Sequence, residues 1–256
     1  MGPVVTRRSQ REIDFWPVRP ALLQRALNSK SQSLAQMERV GGPAKGFPTM
    51  EALLAEAPSP THCPYLVLIA EGIEAEAKAL TVAFAEQSAK DWAADEGTAR
   101  SAFAECVNQW LGGLESLRWQ QIEQPVQKAL TAGAGQSPAF ARRTMAENLA
   151  DWQAQWASLR AQARLTPEQR NAPPTPGRAL LPIEALLLGK GHIALAERWG
   201  KAVDAASAAM TAIPDRPSER NLLALSQALK GVTSLYQSEV AAALDVPLGF
   251  SSADGD

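Results

Sequence analysis

Thr61-His62-Cys63-Pro64-Tyr65-Leu66-Val67-Leu68-Ile69 opens the stretch that decides the fold. From it, Leu66, Ile69, Ile73, Ala77, Leu80 and Phe84 recur at helical spacing, which lines them up on one face at 3.6 residues per turn. Pro64 suits the first turn, where its missing N–H would have no partner anyway. The pattern returns in Phe103, Val107, Trp110, Leu114 and Leu117 after Thr98, and these two stripes are expected to pair. Leu149, Trp152, Trp156 and Leu159 mark a helix beyond the Gly133–Pro138 break, and Trp199, Val203, Ala206, Met210 and Ile213 mark another. Leu222, Leu225, Leu229, Val232 and Tyr236 form a last stripe entered from Pro217-Ser218, with Ser218 as N-cap and Asn221 completing only part of a capping box. Shorter helices are expected at Ala21–Leu27, Thr49–Ala55 and Ile183–Leu188. Abundant alanine and leucine and scarce β-branched runs agree with an all-α fold.

At 256 residues, 46% hydrophobic and 20% charged, the chain has room for one large core or two smaller ones. A net charge of -2 without a dense Lys/Arg run sets nucleic acid and anionic lipid aside as partners. No apolar stretch reaches the roughly 20 residues of a transmembrane span, and Met1-Gly2-Pro3-Val4-Val5-Thr6-Arg7-Arg8 lacks the order of a secretory signal. Cys63 and Cys106 have no metal or redox spacing, and are expected as buried thiols at different helix heights with no bond between them. The two histidines, His62 and His192, sit in loop contexts, and no H-E-x-x-H, nucleophile elbow or P-loop occurs.

One further segment stands out: Gly46-Phe47-Pro48-Thr49-Met50-Glu51-Ala52-Leu53-Leu54. A Gly-x-His-x-x-Glu version would place imidazole and carboxylate a turn apart on one helix face, a geometry able to hold a metal ion. Here Pro48 stands where the imidazole would be. Gly46 and Pro48 read as backbone devices, and Glu51 as a first-turn carboxylate favoured by the helix dipole or as a ligand. The segment is echoed by Leu180-Leu181-Pro182-Ile183-Glu184-Ala185-Leu186-Leu187-Leu188. Pro173-Pro174-Thr175-Pro176-Gly177 is the clearest linker-like stretch.

The Gly46–Leu54 segment resembles the G-x-H-x-x-E region of the imelysin-like family. Arg11-Glu12-Ile13-Asp14-Phe15-Trp16-Pro17 is similar to that family's R-I-x-F-W-P stretch, and Leu248-Gly249-Phe250 through Asp254-Gly255-Asp256 to its closing G-F-N-x-x-D-G-D. The three occur in the family's order across nearly the whole chain. The resemblance implies two packed, pseudo-symmetric helical bundles, here 1–118 and 119–256, the first carrying the Gly46–Glu51 motif. It also implies a signal and a long first helix upstream of Met1, and a place in the cell envelope, periplasmic or lipid-anchored.

The resemblance further implies a cleft holding Glu51, Arg11 and Trp16. Arg143, Thr144 and Asn148 match the polar positions of the family's S-x-R-S/T segment, where arginine and hydroxyl at a helix entrance suit an oxyanion. Each has a plainer reading: an ion pair for Arg11, a core aromatic for Trp16, a helix cap at Ser137 ahead of Pro138 for the third segment. Gly249 and Phe250 are expected to seal the tail. Three functions follow: a binding protein associated with uptake of iron or another divalent metal, acting on the metal or its complex with a cell-envelope partner; a metallopeptidase, disfavoured by Pro48; and a helical interaction scaffold.

Overall fold

The structure, a computed structural model, describes residues 12–16, 18–31, 33–55, 59–133, 135–175 and 180–248. Helices carry the architecture, and no strand occurs among the described residues. The chain packs as two units, Met1–Glu105 and Cys106–Asp256.

The first unit contains α1 (Pro20–Asn28), α2 (Leu34–Glu38), a 3₁₀ turn (Gly42–Ala44), α3 (Gly46–Ala55), α4 (Cys63–Ser88) and the start of α5 (Glu96–Glu115). Its core gathers Leu23, Ala26, Met37, Ala44, Leu53, Tyr65, Leu68 and Ile69. The Tyr65 hydroxyl donates to the Ala44 carbonyl at 2.6 Å, tying α4 to the turn that precedes α3. Helices α2 and α3 pack on α4, whose buried residues are Tyr65, Leu68 and Ile69. The stripe read from sequence is therefore covered only at its beginning. Ala77 is exposed and Phe84 is 54% exposed. The matching stripe, Val107, Trp110, Leu114 and Leu117, is buried.

The second unit continues α5 into a π-helical stretch, Ser116–Glu123, then α6 (Gln124–Ala132), α7 (Met145–Ala163), α8 (Pro167–Asn171), α9 (Ile183–Gly189), α10 (Ile193–Ala212) and α11 (Glu219–Leu235). A second π turn, Tyr236–Val240, leads into α12 (Ala241–Ala243). Helices α10 and α11 pack along each other. Trp110 lies 5.5 Å from Trp199 and 5.8 Å from Tyr236 between ring centroids. Both indole N–H groups are satisfied, Trp110 by Leu159 O at 2.9 Å and Trp199 by Ala163 O at 2.8 Å. Burying each such ring is worth about 1.5–3 kcal/mol.

Helix starts follow the capping chemistry of the sequence. Thr144 and Glu147 close a capping box on α7, and Thr166 and Gln169 close one on α8. Ser218 and Asn221 complete theirs on α11, because the Asn221 amide oxygen accepts the Ser218 N–H at 2.9 Å as a longer Glu or Gln would. Both cysteines are exposed, correcting the expectation of buried thiols, and no bond joins them. Cys63 stands at the first position of α4 and Cys106 lies on α5.

Candidate functional site

Gly46 is the tightest point of the first unit. Its φ is +71°, and a Cβ there would lie 2.4 Å from Ile13 O and 2.9 Å from Glu12 O. Only glycine tolerates both the left-handed backbone and the approach of another chain segment. The Glu12–Ile13 segment thus rests directly on the entrance of α3, and two separated sequence signatures meet backbone to backbone.

Next to this joint lies Lys45, whose side chain is 3% exposed. Its ammonium is held by Glu12 Oε2 at 2.9 Å and Glu38 Oε2 at 3.0 Å. Two carboxylates so placed offset the burial of an ammonium that alone would be costly. A cavity of about 160 Å³ adjoins the group, with Glu12, Glu38, Glu76 and Lys45 on its polar side and Met37, Ile69 and Ile73 on its apolar side. Glu76 makes no ion pair among the described residues. Sequence reasoning missed Lys45, Glu38 and Glu76 and passed over Glu12. The available signal was Lys45 standing immediately before Gly46.

Pro48 is buried and Glu51 half-buried on α3. The helix begins at Gly46, two residues before the expected proline entry, so Glu51 lies in the second turn and not the first. The reason is that the first N–H groups of a helix lack partners, which lets proline sit at the third position without losing a bond. Trp16, also half-buried, donates its indole N–H to Asp14 Oδ1 at 2.7 Å. Arg11, Gly249 and Phe250 lie outside the described residues.

The remaining candidates belong to the second unit. Thr144 is the N-cap of α7, its hydroxyl accepting the Glu147 N–H at 3.2 Å. The Thr144 backbone N–H, then its hydroxyl, hold the Glu147 carboxyl below the usual range, aided by the charges of Arg143 and Arg142. Asn148 is 2% exposed and uses its amide fully: Nδ2 donates to Thr144 O at 2.7 Å and Arg142 O at 3.1 Å, and Oδ1 accepts the Arg142 N–H at 2.9 Å. Arg142 pairs with Asp151 at 3.2 Å, whereas Arg143 is exposed. An open cleft of about 550 Å³ runs along Ser137–Met145. Arg143, Thr144 and Asn148 are therefore brought together, on a loop that Thr144 and Asn148 shape.

The second unit holds another group that sequence reasoning did not single out. Glu184, buried on α9, accepts from Arg164 and from the Leu165 N–H, the latter at 2.8 Å. Arg164 also donates to Asp204 Oδ2 at 2.8 Å, and this bond holds the Asp204 carboxyl below its usual range. A Cβ on Gly200 would meet the Arg164 guanidinium at 2.5 Å, so that glycine makes the space in which the arginine lies. Burial also sets the register of the internal echo. Pro48, Thr49 and Leu53 are buried with Leu54 exposed, and Pro182, Ile183 and Leu187 are buried with Leu188 exposed. In that register Glu184 falls opposite Met50, not Glu51.

A bare metal ion does not fit the motif. Position 48 supplies no imidazole, and among the described residues no group of three His, Cys, Asp or Glu could hold an ion. Nor is any helix among them long and apolar enough to cross a membrane.

Comparison with known proteins agrees with this architecture. No curated protein matches the chain. Among solved structures it is similar to an imelysin-like protein from Psychrobacter arcticum 273-4, with 18% identity and a TM-score of 0.67 over 98% of this chain and 76% of that one. That likeness concerns the fold. The model of the peptidase family described as Imelysin matches residues 1–245, and the chain therefore belongs to the imelysin family.

Proposed function

We propose that this chain is a cell-envelope binding protein of the imelysin type, periplasmic or lipid-anchored, that serves metal uptake and cleaves no peptide. The observation that carries the reading is the Glu12–Lys45–Gly46 joint and its cavity, where two family signatures meet beside three carboxylates and one ammonium. Such a lining favours a positively charged ligand. Because Pro48 removes the imidazole from the motif, the ligand is a metal complex that brings its own donors. Its cationic arm enters the cavity against Glu76, and its apolar part meets Ile69 and Ile73.

Calorimetry with ferrioxamine B, a ferric complex with a full set of oxygen donors and a pendant ammonium, tests this beside ferric citrate, zinc chloride and a casein digestion. Binding of ferrioxamine B, with none of citrate and no chelator-sensitive cleavage, is expected. Zinc binding abolished by Glu51→Ala, or chelator-sensitive cleavage, would return the chain to the metallopeptidases. Absence of binding by ferrioxamine B would refute the ligand class.

A further inference from the structure

We infer that Gly72 sets which cation the cavity beside Gly46 takes: with no side chain at that position the cavity admits a straight aminoalkyl arm, so the group it recognises is a primary alkylammonium whose bulkier attachments stay outside. This deepens the proposed binding role and rests on the reading of that cavity as the ligand site. Ile69, Gly72, Ile73 and Glu76 all line it, and their spacing of three and four residues makes them one continuous face of α4. Ile69 and Glu76 stand two turns apart, about 10 Å along the helix. The face therefore runs from an apolar end to a carboxylate, with the glycine between them.

A glycine inside a long helix weakens it, and α4 runs 26 residues from Cys63 to Ser88. Backbone geometry does not call for glycine here, because Gly72 has no positive φ. The reason is space. A Cβ at Gly72 would lie 3.2 Å from Met37 Cε and 3.6 Å from Leu34 Cδ2, and both side chains belong to the cavity wall. An added methyl group would narrow the cavity or press on Met37, which is 3% exposed in a core with little room to yield. By contrast, a Cβ at Gly231 of α11 would meet nothing within 4 Å. The volume fixes the size of the guest. The cavity of about 160 Å³ matches the roughly 150 Å³ that takes benzene, so it holds one unbranched arm of about six non-hydrogen atoms and not the body of a metal complex.

Calorimetry of the full chain with propyl-, pentyl- and octylammonium chloride tests this, beside ferrioxamine B, whose ammonium ends a pentyl chain. Wild type is expected to bind pentylammonium more tightly than the shorter or the longer homologue. Gly72→Ala is expected to bind pentylammonium and ferrioxamine B at least about fivefold more weakly, with the Tm of wild type or up to about 5 °C above it. Ile73→Ala widens the same face and is expected to move the preference toward octylammonium, a change in chain length that a merely structural role does not produce. Gly231→Ala is the control and is expected to bind as wild type does. Should Gly72→Ala lose its fold, the Ile73→Ala shift decides alone. Equal pentylammonium affinity of wild type and folded Gly72→Ala, an unchanged preference in Ile73→Ala, or no alkylammonium binding to wild type would overturn the inference. Ferrioxamine B failing to bind while the alkylammonium series behaves as expected would refute the metal complex and leave Gly72 in its role. Ferrioxamine B binding equally to wild type and folded Gly72→Ala would spare the complex and remove Gly72.

Discussion

Replacing Gly46 by alanine adds one methyl group at the place where two chain segments touch most closely. The added carbon would stand 2.4 Å from Ile13 O and 2.7 Å from Ile13 C, and both are backbone atoms that no rotamer change can move. The left-handed φ of +71° adds about 1–2 kcal/mol for a residue with a side chain. Forcing the two segments apart adds about 1–3 kcal/mol. The sum, roughly 2–5 kcal/mol, is a large share of the 5–15 kcal/mol that holds a typical domain. For a unit the size of Met1–Glu105 it corresponds to a fall in Tm on the order of 10–30 °C. Gly112→Ala is the control: it lies in α5, and its Cβ would meet nothing within 4 Å. It is expected to stabilise by about 0.5–1 kcal/mol. Urea unfolding followed by circular dichroism measures both. A Gly46→Ala protein within about 0.5 kcal/mol of wild type would show that Glu12–Ile13 does not rest on the entrance of α3.

Three other outcomes follow from the described groups. Glu184→Gln takes away one of the two carboxylates that hold Arg164, Asp204 keeping the other, and is expected to cost about 1–3 kcal/mol by urea unfolding. Combined with Gly200→Ala, which displaces the same guanidinium, the loss should fall short of additive. The two tyrosines, Tyr65 and Tyr236, are both pushed up to about 12 by burial. Absorbance near 295 nm should therefore show no tyrosinate as pH passes 10, and stability should fall between pH 10 and 12, where only the unfolded chain releases those protons. Tyr65→Phe loses its bond to Ala44 O and about 1–2 kcal/mol, while Tyr236→Phe, whose buried hydroxyl has no partner among the described residues, is neutral or slightly stabilising. At the acid end, burial alone would raise the Glu115 carboxyl, but hydrogen bonds from Arg118 and the charges of Arg118 and Lys230 hold it below its usual range. A carboxylate depressed in the fold stabilises above its unfolded value and stops doing so as pH falls through the folded one. Thermal midpoints should drop below about pH 4.5, and Glu115→Gln should flatten that limb.

Helices were legible in the sequence wherever a neighbouring element covers the stripe, as at Ile69 and along Leu222–Val232. The same periodicity at Ala77–Phe84 marked a helix correctly but not its burial, because spacing reports a face and says nothing of what lies against it. Glu184 and Lys45 were invisible for the opposite reason. Acidic residues and lysines are ordinarily exposed, and only partners brought by the fold, Arg164 for one and Glu12 with Glu38 for the other, make them interior groups. Gly46 could be read as a backbone device, but the segment it admits, Glu12–Ile13, is fixed by tertiary packing. The signal for Thr144 as a cap, Glu147 three residues later, stood in the sequence but was not used, and the full use of the Asn148 amide in the preceding loop carries no sequence signal.

The central claim is that the cavity beside Gly46 takes a cationic metal complex through Glu76. Titration calorimetry of ferrioxamine B into wild type, Glu76→Gln and a Glu184→Gln control from the second unit tests it most directly. The account predicts binding to wild type and to the control, and at least about tenfold weaker binding to Glu76→Gln, the effect of removing one desolvated charge partner worth about 1.4 kcal/mol. Equal affinity of wild type and Glu76→Gln, or no heat of binding in any of the three, would contradict it.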